Sequence, residues 1–157
     1  MTGTKVRSRA AARRWRRGQH GGVVFTNGVF DLLHRGHVEL LEQARGMGDH
    51  LVVGVNDDAS TAALGKGAGR PFVPVDDRVR ILAALACVDC VVVFGERTPD
   101  QLIEELAPDV LVKGSDWDPD TLPGAATVRA RGGTVRVVPL VPDRSTSALI
   151  ARIRAAH

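Results

Sequence analysis

Short runs of β-branched and other apolar residues alternate along the chain with stretches of helical, amphipathic periodicity. The apolar runs predict five strands, at residues 23–26, 51–55, 89–94, 110–113 and 134–138. Each run is nearly continuous in hydrophobicity, which is typical of a parallel strand covered by helices on both faces. The pattern therefore predicts an α/β fold, a single-domain, doubly wound sheet of five parallel strands.

Helical periodicity and capping signals lie between these runs. They predict helices at 36–45, at 77–85, from Thr98 as N-cap and Pro99 at the first position to 106, at 124–131, and from Ser145 onward. Residues 61–74 contain three glycines and two prolines, which favours a mobile loop. Ligands of doubly wound sheets bind outside the carboxyl ends of the strands, so the strand ends are where chemistry is expected.

The chain has 157 residues, enough for one domain with a substantial core. Charge is unevenly distributed along it. Residues 1–22 contain seven Lys and Arg and no acid, whereas the other 135 carry 14 basic against 18 acidic residues. We interpret residues 1–22 as a solvated, partly helical basic arm and residues 23–157 as the folded domain. The chain lacks tyrosine and only Trp15 lies in the arm, so nucleic acid is not an expected partner.

The apolar runs are all shorter than the roughly 18–20 residues that a membrane span requires. The basic N-terminus is not followed by the apolar stretch of a secretory signal. With two cysteines, these features predict a cytoplasmic protein in a reducing compartment. Cys87 and Cys90 flank the apolar entry to the third strand and are expected to be buried, unreactive thiols.

Two histidines follow the first strand and define the main candidate site. His34 and His37 are three residues apart, so at a helix start they lie on one face. Gly28 lets the backbone approach a bulky phosphate, and Gly36 leaves the surface between the histidines open. A helix N-terminus favours anions, and imidazoles above a phosphate can donate hydrogen bonds to oxygens that gain charge during reaction.

Two other interpretations of the histidines stay open at this point. A His-x-x-His pair can bind zinc, although no Cys or carboxylate at the usual ligand spacing completes such a site. The histidines can also be satisfied polar groups at a helix start. We therefore expect no metal ion bound by protein ligands alone.

The residues around these histidines carry a family resemblance. Gly28-Val29-Phe30-Asp31 followed by His34-Arg35-Gly36-His37 resembles the signature of the cytidylyltransferase-like nucleotidyltransferases. Further stretches between residues 10 and 154, among them 54–60, 69–71, 108–116 and 132–133, resemble the bacterial D-glycero-beta-D-manno-heptose 1-phosphate adenylyltransferases. The resemblance implies a Rossmann-like nucleotidyltransferase fold and a homodimer.

The resemblance also assigns roles to individual residues. It implies that His34, His37 and Lys66 are catalytic, with Lys66 on the mobile loop near the reacting phosphates. It implies contacts with the nucleotide for Thr26, Asn27, Gly28, Phe30, Asp31, Gly36, Lys113, Gly114, Asp116, Arg144, Ser145 and Thr146. It implies contacts with the acceptor, or with the loop in the case of Arg78, for Asp58, Arg70 and Arg78.

Some positions depart from the family pattern. Trp117 stands where the heptose enzymes usually have tyrosine, and Val29 stands where cysteine is usual. Residues 118–128 lack an acidic pair often seen in those enzymes. Because this segment is expected near the acceptor, the departures bear most on which acceptor is used.

The activity implied by the resemblance is transfer of AMP from ATP to a heptose 1-phosphate, giving a nucleotide-activated sugar and pyrophosphate. Mg²⁺ would arrive with the nucleoside triphosphate, since it usually keeps few protein ligands. One alternative is a cytidylyltransferase that uses CTP with a polyol phosphate or phosphonate. A more distant alternative is a nucleotide-sensing or nucleic-acid-binding protein, which would be expected to lack the histidines.

Overall fold

Five parallel strands form one sheet in the computed structural model, which describes residues 2–65 and 67–156. The strands are β1 (Val23–Gly28), β2 (His50–Asn56), β3 (Cys90–Phe94), β4 (Val110–Gly114) and β5 (Thr134–Val138). The helices are α1 (Arg9–Arg17), α2 (Arg35–Arg45), α3 (Asp58–Ala63), α4 (Val75–Ala84), α5 (Asp100–Leu106), α6 (Ala125–Ala130) and α7 (Thr146–Ala155). All five predicted strands are confirmed.

The strand order is β3-β2-β1-β4-β5, so the chain reverses its direction of travel across the sheet after β3 and enters β4 on the other side of β1. Alternate residues of each strand face opposite layers: Phe25 packs with α1, α5 and α6, whereas Val24 packs with α2 and α4. The two apolar layers explain why the strands are hydrophobic throughout, and the predicted doubly wound fold is confirmed. No helix in residues 2–65 and 67–156 is long and apolar enough to cross a membrane.

The basic N-terminal segment packs on the domain, contrary to the expectation of a solvated arm. Val6 forms a parallel bridge with Val91 at the open edge of β3. Ala12 is fully buried, Trp15 packs against the core, and Arg9 pairs with Glu96 and Glu105. An amphipathic helix with one apolar stripe gains more from burying it than from full hydration, while its arginines stay at the rim. The boundary at residue 22 stays a prediction.

Two local predictions differ from the structure. The stretch predicted as a loop from residue 61 begins as α3, because the Asp57 carboxylate accepts the Ser60 N–H at 2.7 Å and caps the helix. Helix α5 begins at Asp100 with Pro99 as its N-cap, so Thr98 does not cap it. Both cysteines are free thiols, but only Cys90 is buried as expected, whereas Cys87 is partly exposed. Burial raises the pKa of Cys90 to about 11.

Candidate active site

A cleft of about 520 Å³ opens at the carboxyl ends of β1 and β4, where the strand order switches. Most of the residues predicted from the sequence line it. They are Thr26, Asn27, Gly28, Phe30, Asp31, His34, Gly36, His37, Arg70, Lys113, Gly114, Asp116, Arg144, Ser145 and Thr146.

The two histidines cap the helix that they begin. The Gly36 N–H donates to Nδ1 of His34 at 3.1 Å, and the His34 N–H donates to Nδ1 of His37 at 3.3 Å. An Nδ1 that accepts a hydrogen bond carries no proton, so each ring is neutral and holds its proton on Nε2. Burial lowers the pKa of His34, which also favours the neutral ring. Both imidazoles therefore bring an Nε2–H donor to the cleft.

The rings are held close together by their neighbours. The imidazoles of His34 and His37 stack with centroids 3.8 Å apart, and the Phe30 ring lies 5.3 Å from that of His37. Phe30 itself is buried in the layer under α2 and takes a left-handed φ of 53°. Packing of this kind orients the Nε2–H groups before any ligand binds.

The N-termini of α2 and α7 meet at the same cleft. A side chain at Gly36 would place its Cβ 2.9 Å from the Arg144 carbonyl oxygen and 3.0 Å from the His34 ring, so only glycine permits this approach. Ser145 caps α7, as predicted, by accepting the Ala148 N–H at 3.1 Å. The Thr146 hydroxyl donates to the Asp31 carbonyl at 2.7 Å and fixes α7 against the loop after β1. Two partial positive helix ends therefore converge here.

Asp31 organises the loop that follows α3. Its carboxylate, which is fully buried, pairs with Arg70 at 2.6 Å and accepts the N–H groups of Phe72 and Val73 at 3.0 Å. Burial alone would raise its pKa, but the two backbone donors and the Arg70 guanidinium outweigh burial and lower the pKa below 3.8. Asp31 therefore joins the end of β1 to residues 70–73, and its contact with a nucleotide stays a prediction.

The interactions of the Asp31 carboxylate predict that part of the free energy of unfolding depends on pH. Because the pKa of Asp31 is lower in the folded protein than in the unfolded chain, its contribution is complete above about pH 4 and lost as the pH falls through the folded pKa. Asp31→Asn should lower the free energy of unfolding by about 2–3 kcal/mol at pH 7 and by less at pH 3. Urea titrations at both pH values measure this. Asp143→Asn, an exposed left-handed position, is the control. If the difference in free energy of unfolding between Asp31→Asn and the wild type were the same at both pH values, Asp31 would not be ionised in the folded protein.

The wall of the cleft that follows β4 and β5 contains residues that sequence reasoning did not assign. Trp117 and Leu140 are each 45% exposed and line the cleft after β4 and β5. A Cβ at Gly114 would lie 2.5 Å from Leu140, so glycine makes room for that side chain. Exposed large apolar residues directly after strands are the signal that could have identified this wall.

Lys113 lies where this cleft meets a second cavity. Its Nζ donates to the Asn27 carbonyl at 2.7 Å and lies 5.1 Å from the centroid of the Trp117 ring. The second cavity, of about 200 Å³, shares Asn27, Gly28, Val29, Lys113 and Trp117 with the first. Its other walls are Asn56, Leu64, Arg97, Thr98, Pro99, Leu122 and Pro123. Of these, sequence reasoning assigned none to the site.

Two buried polar atoms beside the cleft lack a hydrogen-bond partner within the described part of the chain. The Thr26 hydroxyl and Oδ1 of Asn27 are buried and accept or donate no hydrogen bond within the described part of the chain. Thr26 lines the first cavity and Asn27 lines both. Because buried polar atoms are usually satisfied, these two mark a surface that could face a ligand.

The structure divides the predicted acceptor residues: Arg70 lines the cleft, whereas Asp58 and Arg78 pair with each other outside both cavities. Arg78 is 1% exposed and lines neither cavity; it donates to the carbonyls of Val29, Asn56 and Val73 and pairs with Asp58 at 2.6 Å. Asp58 is likewise outside both cavities, and Arg70 is engaged by Asp31. Lys66 lies outside the described residues.

Comparisons with known proteins agree with this geometry. The chain is 57% identical over 132 residues to the bifunctional protein HldE of Pseudomonas paraeruginosa, covering 84% of this chain but only 28% of that protein. It is 55% identical to the D-beta-D-heptose 1-phosphate adenylyltransferase of Bordetella bronchiseptica, covering 84% of this chain and 82% of that one.

The fold has solved counterparts. The lipopolysaccharide core biosynthesis protein from Thermoplasma volcanium matches with a TM-score of 0.65 and 29% identity, covering 78% of this chain and 98% of that one. The family described as cytidylyltransferase-like matches residues 25–149, which include both histidines, the switch point and the start of α7. This chain therefore belongs to the cytidylyltransferase-like family.

Proposed function

We propose that this chain transfers AMP from ATP to the phosphate of a heptose 1-phosphate, forming an ADP-heptose and pyrophosphate. The observation that carries the proposal is the convergence of two helix N-termini and two imidazole Nε2–H donors on one cleft. The choice of ATP and a heptose 1-phosphate is supported by the name of the Bordetella relative, which the chain matches over most of its length.

The triphosphate would lie between α2 and α7. Backbone N–H groups at a helix start attract anions, and here the starts of two helices, each ten or more residues long, line one cleft. Arg144 and Ser145 line the same wall and add a charge and a hydroxyl. This end of the cleft suits the β- and γ-phosphates, which become the leaving pyrophosphate.

The base would bind on the opposite wall. Trp117 and Leu140 offer exposed apolar surface there, and Leu140 packs directly over Gly114. A purine stacked against a tryptophan buries its faces while its edges remain available for hydrogen bonds. The α-phosphate would then lie between the base wall and the helix starts, beside His34 and His37.

Magnesium fits this arrangement as a companion of the triphosphate. Asp31 and Asp116 are the carboxylates that line the cleft in the described ranges, and the Asp31 oxygens are already engaged by Arg70 and the loop. Asp116 is thus the protein group that could hold the ion, in keeping with the preference of Mg²⁺ for phosphate and water ligands. When bound, the ion neutralises charge on the phosphate oxygens.

The chemical step needs no protein nucleophile, because the attacking phosphate is already anionic. An oxygen of the acceptor phosphate forms a bond to the α-phosphorus of ATP, the bond from that phosphorus to the bridging oxygen breaks, and pyrophosphate leaves with the electron pair. The histidine Nε2–H groups donate to oxygens whose charge grows in the transition state. The chain contributes positioning and charge stabilisation.

The acceptor would occupy the second cavity, which joins the first at Asn27, Gly28 and Lys113. The Lys113 ammonium at this junction suits a position beside both the α-phosphate and the acceptor phosphate. We also propose a homodimer and a cytoplasmic location, both on the family resemblance.

The test is pyrophosphate release by the purified chain with Mg²⁺, each of the four nucleoside triphosphates, and a panel of acceptors. The panel holds both anomers of heptose 1-phosphate, a hexose 1-phosphate and glycerol 3-phosphate. We expect turnover with ATP and heptose 1-phosphate above every other pair. Preference for CTP with glycerol 3-phosphate would refute the proposed substrates. Absence of pyrophosphate release from every pair would refute the proposed activity.

A further inference from the structure

The second cavity is lined from the ends of four neighbouring strands. Lys113 belongs to β4, Asn27 and Gly28 end β1, Asn56 ends β2, and Arg97 follows β3. Neighbouring strands are about 4.8 Å apart, so β4 and β3, which are three spacings apart, are separated by roughly 14 Å. The cavity therefore extends across the strand ends as a slot, with Lys113 at the end nearest the proposed reacting phosphates.

A cation lies at each end of this slot. Lys113 is at the junction with the nucleotide cleft, and Arg97 is at the far end. The walls between them are mostly apolar, formed by Leu64, Leu122 and Pro123. A ligand that fills the slot would present its phosphate to Lys113 and its other end to Arg97.

Arg97 is free to bind a ligand. Its side chain is exposed and makes no hydrogen bond or ion pair within the described ranges. The neighbouring carboxylate, Glu96, is engaged by Arg9 and by the Gly95 N–H. Other arginines near the site, Arg70 and Arg78, are already paired.

We infer that Arg97 determines acceptor specificity by binding the pair of adjacent hydroxyls at the end of the sugar remote from its phosphate. This inference rests on the proposed function. A guanidinium offers two parallel N–H donors, which match two neighbouring oxygens in one plane. A heptose carries such a pair on its two exocyclic carbons, whereas a hexose has one exocyclic hydroxyl. A site built to bind a hydroxyl discriminates strongly against the analogue that lacks it.

The experiment compares Arg97→Ala and Arg97→Lys with the wild type and with Arg13→Ala, an exposed arginine on α1 that lines neither cavity. The measurements are kcat and KM for heptose 1-phosphate, KM for ATP, and the inhibition constant of a hexose 1-phosphate as competitor. In Arg97→Ala we expect the KM for heptose 1-phosphate to rise by about 10- to 100-fold. The KM for ATP and the hexose inhibition constant should change by less than about twofold. Arg97→Lys, which keeps the charge but not the paired donors, should recover part of the loss, and Arg13→Ala should match the wild type.

Two results would overturn the inference while leaving the proposed function in place. One is an unchanged KM for heptose 1-phosphate in Arg97→Ala. The other is an equal weakening of hexose and heptose binding. That result would mean that Arg97 binds the acceptor phosphate or attracts it by charge, and does not recognise the terminal hydroxyls. Failure of the proposed function is detected separately, in the wild-type protein. If the wild type does not turn over heptose 1-phosphate, the proposed function is refuted, and the inference about Arg97 is refuted with it.

Discussion

Replacing His37 by asparagine is expected to lower kcat by about 10²–10³-fold, the cost of removing one donor to a charge that develops in the transition state. The asparagine side chain can still accept the His34 N–H, as Nδ1 of His37 does at 3.3 Å, so the start of α2 keeps its cap. The variant loses the Nε2–H donor that we propose acts on the α-phosphate. The substitution thereby separates the proposed catalytic role from the helix-capping role.

Steady-state kinetics with ATP and heptose 1-phosphate, together with urea unfolding, measure both effects. We expect KM for ATP to change little and the free energy of unfolding to fall by less than about 1 kcal/mol. His20→Ala, an exposed histidine outside both cavities, is the control. Near-full turnover by a well-folded His37→Asn protein would show that the imidazoles serve the helix start alone.

The capping geometry relates two interpretations of the histidines that the sequence left open. The histidines are satisfied polar groups at their Nδ1 atoms and donors at their Nε2 atoms, so the two interpretations describe opposite sides of the same rings. The described residues contain no group of three or more His, Cys, Asp or Glu side chains placed to hold a metal ion.

The fold was largely predictable because burial on both faces leaves a plain signal in the strands. Predicted and observed bounds differ by no more than two residues at any strand end. Helix α3 was missed because its sequence, DASTAA, has no large apolar residue and so no periodicity. Its Asp57 cap lies directly after β2, where the helix begins.

From its own residues the site was predictable only where they are contiguous, whereas distant lining residues such as Lys113 and Arg144 were assigned through the family resemblance. The loop from Thr26 to His37 supplies one wall, and its glycines and histidines carry a recognisable pattern. Arg97 and Trp117 are joined to that wall by the strand order, which no local pattern reveals. The same limit applies to Asp31, whose partner Arg70 lies 39 residues away.

Arg78 shows how a resemblance can identify a residue without its contacts. Replacing it by methionine is expected to lower the free energy of unfolding by about 3–5 kcal/mol, the usual cost of breaking a buried charged network from one side. The guanidinium is 1% exposed and satisfies the carbonyls of Val29, Asn56 and Val73, which methionine would leave unpaired. Asp58, the fourth partner, is half exposed and can be solvated, so most of the loss comes from the carbonyls.

Urea unfolding measures the free energy of unfolding of Arg78→Met and of the control variant Arg80→Met. Arg80 is a suitable control because it is an exposed arginine on the same helix. We expect a large loss for the first variant and a loss below about 0.5 kcal/mol for the second. The carbonyls join the ends of β1 and β2 to the loop before α4, so the loss should be accompanied by weaker order in that loop. If Arg78→Met were as stable as Arg80→Met and instead raised the KM for the acceptor, Arg78 would contact the acceptor directly, which is one of the two roles that the resemblance implies. Its burial outside both cavities and its hydrogen bond to the Val73 carbonyl favour the first result, in which Arg78 orders the loop before α4.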